Sequence, residues 1–181
     1  MAAVSYKGTL FKSHLSGDYN EPNIAAAACI ALYFGLSSED IKNALEAYIP
    51  NLNRSQEIDK NDQKILLDAY NANPTSMEAA LRNFAGLDGS KAVILGDMFE
   101  LGETSAQEHY QIAKLAIELK FDDIILIGQS FHDLKMINES LKSFLDKDEF
   151  LTYLRNNPIK KKRILIKGSR GMALEKLVEN F

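Results

Sequence analysis

Short apolar runs alternate with amphipathic stretches from about Asn51 to the end of the chain. Ile65, Leu66 and Leu67 form one such run, which is typical of a strand buried on both faces. Between the runs, apolar residues recur at helical spacing. The sequence predicts strands over 64–68, 91–96, 123–128, 143–145 and 163–167, and helices over 74–87, 106–120, 147–156 and 172–180, with a further helix beginning near 131.

This alternation predicts the fold class. Strands joined by single helices make right-handed crossovers, so they lie parallel in one sheet that is covered by helices on both faces. A hairpin over 56–68, which turns at 60–62, adds an antiparallel edge. The predicted fold class is therefore α/β with a mostly parallel sheet.

The first third of the chain has a different pattern. The predicted elements are short strands at 4–6 and 9–11 and helices at 24–34 and 37–49. Ser38 is a candidate cap for the second helix, and Pro50 stops it. These elements are too few for a self-standing core, so we expect them to end a larger domain. The predicted parts of the chain are residues 1–52 and 53–181.

Composition narrows the classes of function. The net charge of −4, with 46% apolar and 25% charged residues, is that of an ordinary soluble protein. This charge, without a basic stripe and interleaved aromatics, argues against nucleic-acid binding. The single cysteine, Cys29, excludes an intrachain disulfide and is expected to be buried in its alanine-rich helix. No bilayer-length apolar run or signal-peptide pattern occurs, so we predict a cytoplasmic protein without membrane contact.

Polar residues follow the predicted strands at the ends where open parallel sheets bind ligands. Asp68 ends one strand, and the turn after it leads to Asn73 and Pro74, a typical cap and first residue of a helix. A capping box of Thr75 and Glu78 would start the helix one step later. The turn therefore brings a carboxylate, a phenol and two carboxamides beside a helix start.

A second predicted strand runs into an acidic loop. Asp97 directly follows the strand, and Glu100 lies between two glycines. Ser105 and Glu108 predict a capping box for the next helix. His109 lies in the first turn of that helix, where a single histidine is more typical of a structural role than of a ligand contact. Asp97 is therefore the stronger candidate for chemistry in this loop.

The last predicted strand ends in a glycine-rich turn, Lys167-Gly168-Ser169-Arg170-Gly171. Exposed backbone N–H groups at such a turn suit an anion, and Arg170 can bind a carboxylate through two parallel hydrogen bonds. Considered by itself, the turn could equally be a solvated loop. Because Asp68, Asp97 and Lys167 are expected at one edge of the sheet, a site for a polar ligand there is favoured.

Several common motifs are absent from this sequence. It contains neither a GxxxxGK[ST] loop nor a GxGxxG fingerprint. No Cys/His set has zinc spacing, and no nucleophile elbow occurs. An open parallel sheet without such a motif leaves the function undecided.

Five segments, in order, resemble motifs of the Mur ligase family. They are GDYNEPNIAAA (17–27), PNLNRSQ (50–56), DAYNANPTSM (68–77), LGDMFELG (95–102) with His109 downstream, and IKGSRGMALE (166–175). Tyr19 stands where histidine is common in the family. Since separate motifs occur in the family's order from about Gly17 onwards, the resemblance is specific.

The resemblance implies a three-domain enzyme. Its N-terminal domain holds a UDP-sugar, its central P-loop domain holds ATP, and its C-terminal domain is Rossmann-like. Residues 1–52 would be a helical remnant that ends the central domain, and residues 53–181 would be the C-terminal domain. The P-loop lysine, the Mg²⁺ ligands and the carbamylated lysine of several members would lie outside this chain. We therefore expect no metal ligand in this fragment, no activity from it in isolation, and a monomeric full-length protein.

The implied reaction is the ATP-dependent addition of D-Ala-D-Ala to UDP-MurNAc-tripeptide in peptidoglycan precursor synthesis. The terminal carboxylate of the tripeptide is phosphorylated, and the amine of the dipeptide then attacks the acyl phosphate. This chemistry needs cations that offset phosphate charge and a closed site that excludes water.

The resemblance also implies roles for single residues. Arg54 and Asp68 are the implied catalytic residues, with Arg54 at the ATP phosphates or ribose and Asp68 at the ribose hydroxyls. The implied ATP-binding residues are Asn20, Asn23, Arg54, Asp68, Tyr70, Asn71 and Asn73. The implied substrate-binding residues are Asp97, Glu100, Lys167, Ser169 and Arg170.

Two alternatives stay open. One is a stand-alone module that binds a nucleotide or a peptide. The other is a different amide ligase of the same superfamily, of the folylpolyglutamate or cyanophycin type. Binding by the isolated fragment would favour the first, and the choice of amine acceptor would separate the second.

Overall fold

The computed structural model describes residues 2–15, 17, 20–50, 53–136 and 138–181. The chain forms two compact units, Met1–Asn51 and Leu52–Phe181. Tyr19, Asn51 and Leu52 lie outside the described residues, as does residue 18 of the segment 17–27.

The first unit is a hairpin with two helices. Strands β1 (Ala3–Tyr6) and β2 (Thr9–Lys12) pair antiparallel, and helices α1 (Glu21–Tyr33) and α2 (Ser38–Ala47) follow. These elements confirm the predicted strands and helices. Their small core consists of Ala2, Phe11, Ile24, Ala28 and Ile41.

Two details of the first unit differ from the sequence predictions. Ser37, not Ser38, caps α2, because its Oγ accepts the backbone N–H of Asp40 at 3.1 Å. Cys29 is exposed rather than buried, since the apolar residues of α1 surround the whole helix and the core is too small to cover every face. Tyr33 and Phe34 are accordingly 84% and 74% exposed.

The second unit contains one six-stranded sheet with the order β3-β4-β8-β5-β6-β7. Strands β3 and β4 form the predicted antiparallel hairpin, and every other neighbouring pair is parallel. The strands are β3 (Gln56–Lys60), β4 (Gln63–Asp68), β5 (Lys91–Gly96), β6 (Asp123–Ile127), β7 (Leu141–Phe144) and β8 (Arg163–Lys167). The predicted α/β class with a mostly parallel sheet is therefore confirmed.

Four α-helices connect these strands in the described part of the unit: α3 (Pro74–Ala85), α4 (Ser105–Glu118), α5 (Gln129–His132) and α6 (Lys147–Asn156). The helix expected to begin near 131 is a single turn. The prediction of one closing helix over 172–180 is wrong. Ala173 has a left-handed backbone (φ +51°) and separates two 3₁₀ segments at the end of the chain. The 3₁₀ segments are Gly102–Thr104, Arg170–Met172 and Leu174–Asn180.

Two apolar layers cover the sheet, one on each face. Alternate residues of one strand enter different layers: Leu66 packs with the residues of α3 and α4, whereas Ile65 and Leu67 pack with those of α6 and the C-terminal 3₁₀ segment. Full burial of each such side chain contributes about 1.5–3 kcal/mol. The strands are therefore the apolar centre of the unit, and polar residues collect at their ends.

One of the predicted helix caps is confirmed, and two predicted capping boxes are wrong. Asn73 caps α3 as expected, and its Oδ1 accepts the Ser76 N–H at 2.8 Å while Ser76 Oγ accepts the Asn73 N–H. The capping box is thus Asn73 with Ser76, not Thr75 with Glu78. No side chain caps α4, so the box predicted at Ser105 is also wrong. None of the helices in the described ranges is long and apolar enough to cross a membrane.

Candidate ligand site at the carboxyl edge of the sheet

Three of the predicted site residues lie at one edge of the sheet. Strand β8 lies between β4 and β5, so the carboxyl ends of these three strands are neighbours. Asp68 is in register with Lys167, and Lys167 is in register with Leu95, two residues before Asp97. The sheet order therefore assembles residues that are about 30 and 70 positions apart in sequence.

Asp68 and Lys167 form a buried ion pair. Lys167 is 2% exposed, and its Nζ donates to Asp68 Oδ2, while the Asp68 side chain is 14% exposed. The other oxygen, Asp68 Oδ1, accepts the Ser55 N–H at 3.2 Å, and the Asn71 carbonyl lies 3.5 Å from Lys167 Nζ. This geometry favours Lys167 as a structural partner of Asp68 over a direct substrate contact. Asp68 retains a small exposed surface at the edge.

A strained loop carries Arg54 next to the end of β4. Asn53 and Ser55 both have left-handed backbones, with φ of +62° and +46°. The Ala69 N–H donates to the Asn53 carbonyl at 2.8 Å, which ties the loop to the end of β4. As a result, the Arg54 guanidinium carbon lies 3.9 Å from the centre of the Tyr70 ring, a cation–π contact on an exposed surface.

Asn71 and Asn73 also lie on this turn, and both are exposed. Asn71 Oδ1 accepts the Ala72 N–H at 2.9 Å, and Asn73 Oδ1 is used by the α3 cap. Their side-chain oxygens thus shape the turn. Their amide NH₂ groups, which have no recorded partner among the described residues, remain available as donors to a ligand.

Asp97 is buried and holds the start of α5. Its two carboxylate oxygens accept the N–H groups of Ser130 and Phe131 at 2.9 and 3.0 Å. Gly128 makes room for the carboxylate, because a Cβ added there would lie 2.3 Å from Asp97 Cγ. This arrangement favours a positioning role for Asp97 over the contact with substrate that the sequence suggested.

His109 is fully buried next to Asp97 and has a structural role. Its Nε2 accepts the Met98 N–H at 2.9 Å, and its Nδ1 lies 2.7 Å from the Ser105 carbonyl, so the two contacts agree with a proton on Nδ1. Its ring meets Phe131 edge-on, with the ring centres 4.6 Å apart. The histidine therefore fixes the backbone where β5 enters its loop.

Ser169 joins the loops after β5 and β8. It is buried, its Oγ accepts the Phe99 N–H at 2.9 Å, and its N–H donates to the Asp97 carbonyl at 3.2 Å. The Phe99 ring rests on Gly171, where an added Cβ would lie 2.6 Å from the ring. Glu100, with a left-handed backbone (φ +64°), is exposed beside it.

Arg170 is the exposed cation of the glycine-rich turn. Its Nη1 lies 3.2 Å from Glu175 Oε1. Glu175, which ends the IKGSRGMALE segment, is not among the residues predicted from the sequence. Arg54, Glu100 and Arg170 are exposed charged groups at this edge.

The first unit holds the remaining two predicted residues. Asn23 Nδ2 donates to Asn20 Oδ1 at 3.1 Å at the start of α1, and Asn20 is buried. This contact orders the pair within its own unit. In the described ranges, no group of three His, Cys, Asp or Glu residues is arranged to hold a metal ion.

An open sheet with a charged, polar carboxyl edge defines an α/β ligand-binding domain. Residues 53–170 match the family described as Mur ligase, glutamate ligase domain. The chain belongs to the Mur ligase family.

Relatives place the similarity within that family. The chain is 32% identical to the UDP-N-acetylmuramoyl-tripeptide–D-alanyl-D-alanine ligase of Treponema pallidum over 96% of its own length. It is likewise 32% identical to the enzyme of the same name from Escherichia coli over 91% of its length. The chain spans 39% and 37% of these two relatives.

Solved structures of related proteins are also similar to this chain. Crystal structure I of MurF from Acinetobacter baumannii superposes with a TM-score of 0.82 and 34% identity, over 95% of this chain and 39% of that one. The structure of MurF from Thermotoga maritima in complex with ADP has a TM-score of 0.77 at 21% identity, which shows a common fold.

Proposed function

We propose that this chain is part of an ATP-dependent amide ligase that adds D-Ala-D-Ala to UDP-MurNAc-tripeptide. One observation carries the proposal: the segments 68–77, 95–102 and 166–175 converge on one edge of the sheet. The polar ends of β4, β5 and β8 meet there. The relatives that match more than nine tenths of this chain bear the name of this ligase.

The residues on the β4 side fit a nucleotide. Tyr70 offers an exposed ring beside the Arg54 guanidinium, which suits an adenine and a nearby phosphate. Asp68 provides a carboxylate for ribose hydroxyls, and the NH₂ groups of Asn71 and Asn73 are donors for a base edge. ATP supplies the phosphoryl group that activates the tripeptide carboxylate, and the family resemblance assigns its Mg²⁺ ligands to residues outside this chain.

The residues on the β5 and β8 side fit the peptide substrates. Glu100 and Arg170 are exposed and oppositely charged, so they suit the charged ends of a peptide. Asp97, Lys167 and Ser169 act indirectly in this proposal, because all three are buried and already have partners within the protein. A rigid edge of this kind pre-organises the charged groups before substrate arrives.

Residues 1–52 belong, in this proposal, to the nucleotide-binding central domain of the full-length protein, and residues 53–181 form the C-terminal domain. The apolar surface of α1 supports the assignment, since Ile30, Tyr33 and Phe34 are exposed within their own unit. Asn20 and Asn23 would contribute to ATP binding from this part. We further propose that the full-length protein is a monomer and acts in the cytoplasm.

The test uses the full-length protein with ATP, UDP-MurNAc-tripeptide and D-Ala-D-Ala, and follows phosphate release and product mass. We expect a product with the dipeptide added and one phosphate per amide bond. Glutamate with a folate acceptor serves as the control for a folylpolyglutamate-type ligase. Preference for that pair, or no ligation with either, would contradict the proposal.

A second experiment addresses the 181-residue chain without further residues. We expect it to form no product under the same conditions, since the P-loop is assigned to the remainder of the protein. Calorimetry with ATP should show at most weak binding. Tight ATP binding by this chain would instead favour a stand-alone nucleotide-binding module.

A further inference from the structure

Arg170 and Glu175 form an ion pair on the turn that follows β8. The distance from Arg170 Nη1 to Glu175 Oε1 is 3.2 Å, and the two side chains are 58% and 26% exposed. An ion pair that is partly exposed to solvent contributes little to stability, because water competes for both charges. The pair can therefore separate when a ligand offers new partners.

The second oxygen of Glu175 is left without a donor. Glu175 Oε2 is buried and has no hydrogen-bond partner among the described residues. A buried carboxylate oxygen in this state is unfavourable, since it has lost water and gained nothing in exchange. Among the described residues, Arg170 is the polar partner of this carboxylate, and a donor brought to the second oxygen would relieve its unfavourable state.

The backbone between the two charges is held in place. Leu174 is fully buried against two glycines: a Cβ added to Gly96 or Gly168 would lie 2.7 or 2.8 Å from its Cδ1. Leu174 therefore anchors the turn at the sheet edge. Arg170 and Glu175 extend from a fixed backbone, so a ligand needs to reorganise side chains and no main chain.

Opposite charges on one rigid turn match a ligand that carries both charges. The two ends of a dipeptide are separated by roughly 7 Å, at about 3.3–3.6 Å per residue. When such a zwitterion enters, its carboxylate can replace Glu175 at Arg170, and its ammonium can then meet the released Glu175. One ion pair within the protein is exchanged for two with the ligand.

We propose that Glu175 binds the ammonium group of the incoming dipeptide while Arg170 binds its carboxylate. This inference rests on the proposed function, which makes D-Ala-D-Ala the incoming component. It assigns a binding role to Glu175 beyond the set of residues predicted from sequence.

The first test is Glu175→Gln in the full-length protein, with steady-state ligation as the measurement. We expect the KM for D-Ala-D-Ala to rise about tenfold or more, because a charged hydrogen bond is lost, while the KM for ATP is unchanged. Glu179→Gln, an exposed glutamate on the same 3₁₀ segment, is the matched control and should leave both constants unchanged. Glu175→Asp keeps the charge and should recover most of the lost affinity.

Two modified dipeptides distinguish binding by Glu175 from an indirect effect through Arg170. N-acetyl-D-Ala-D-Ala lacks the ammonium, so Glu175→Gln should bind it at least as tightly as the wild type does, because no carboxylate then competes for Arg170. Arg170→Gln should bind it more weakly. D-Ala-D-Ala amide lacks the carboxylate, so its KM should rise in Glu175→Gln and not in Arg170→Gln.

Three results would overturn the inference. The first is a dipeptide KM in Glu175→Gln that equals the wild-type value. The second is equal weakening of the N-acetyl dipeptide and the free dipeptide, which would mean that Glu175 only positions Arg170. The third is a wild-type protein that ligates no D-Ala-D-Ala, which contradicts the proposed function itself and is visible before any variant is made.

Discussion

Lys167 shows how burial changes the role that a sequence position suggests. A lysine that ends a strand just before a glycine-rich turn is a natural candidate for binding an anion, yet the Lys167 ammonium is almost completely enclosed and bound to Asp68. Burying one charge is unfavourable unless its partner is buried with it. The polar residues at the edge are therefore of two kinds. Buried ones stabilise the protein by pairing with one another or with the backbone, and exposed ones, such as Arg54, can contact a ligand.

Lys167→Met should strongly destabilise the protein, because it leaves the Asp68 carboxylate without its cation. Breaking a buried pair by removing one partner costs about 3–5 kcal/mol. Lys64→Met is the matched control on β4, where the pair with Asp59 at 3.0 Å is exposed and should contribute at most about 1 kcal/mol. Urea unfolding measures both. Equal losses of stability would contradict the distinction.

Arg54→Ala should lower ligation by the full-length protein, because it removes the cation that stacks on Tyr70. We expect kcat/KM for ATP to fall at least tenfold, about 1.4 kcal/mol. Asp68→Ala should have an effect of at least the same size, through the lost carboxylate and the released Lys167. Arg155→Ala, an exposed arginine of α6, should leave kcat/KM for ATP unchanged. Wild-type turnover in Arg54→Ala would remove Arg54 from the site.

The junction of β5, β6 and β8 depends on contacts between loops. Asp97 follows β5 but caps the helix that follows β6, and Ser169 follows β8 but accepts from Phe99 after β5. Each loop is short and glycine-containing, and its partner lies on another strand. The conformation of the Phe99–Glu100 segment thus depends on contacts among the residues that follow all three strands.

Gly128→Ala should test this junction. Gly128 has φ +124°, and a methyl group there would overlap the Asp97 carboxylate, so both the backbone and the cap of α5 are strained. We expect a loss of at least about 2 kcal/mol in unfolding free energy, the sum of overpacking and backbone terms.

Gly102→Ala is the control for that substitution. Gly102 also has a positive φ, +57°, but nothing lies within 4 Å of an added Cβ. Gly102→Ala should lower the free energy of unfolding by about 1 kcal/mol, which is the cost of the backbone conformation without overpacking. If Gly128→Ala is tolerated as well as Gly102→Ala, Asp97 does not occupy the position described.

The two compact units differ in how much core each one has. The second unit has an apolar layer on both faces of its sheet, whereas five residues form the described core of the first. Local stability follows the density of buried contacts. A small unit with an exposed apolar helix is expected to open far more readily than the sheet.

Hydrogen exchange of the 181-residue chain should reveal this difference. We expect amides of α1 and α2 to exchange much faster than those of β4, β5 and β8, which lie next to one another inside the sheet. Peptide-resolved mass spectrometry provides the measurement. If the amides of α1 were as well protected as those of the central strands, the small core would be sufficient to keep the first unit closed, and the prediction would be wrong.

The sequence by itself determined the order of strands and helices in the second unit, the hairpin at its edge and the Asn73 cap. These features depend on apolar periodicity and local hydrogen bonds, which neighbouring residues encode. It also identified Asp68, Asp97, Lys167, Ser169 and Arg170 as strand-end residues.

Tertiary structure decided what those residues do. The order β4-β8-β5 pairs Asp68 with Lys167, and the approach of three loops buries Asp97 and Ser169 while it exposes Glu100 and Arg170. Burial and partnership depend on groups far apart in the chain, so no local pattern carries them. For the same reason the unpaired oxygen of Glu175 became visible in the folded molecule and not in the sequence.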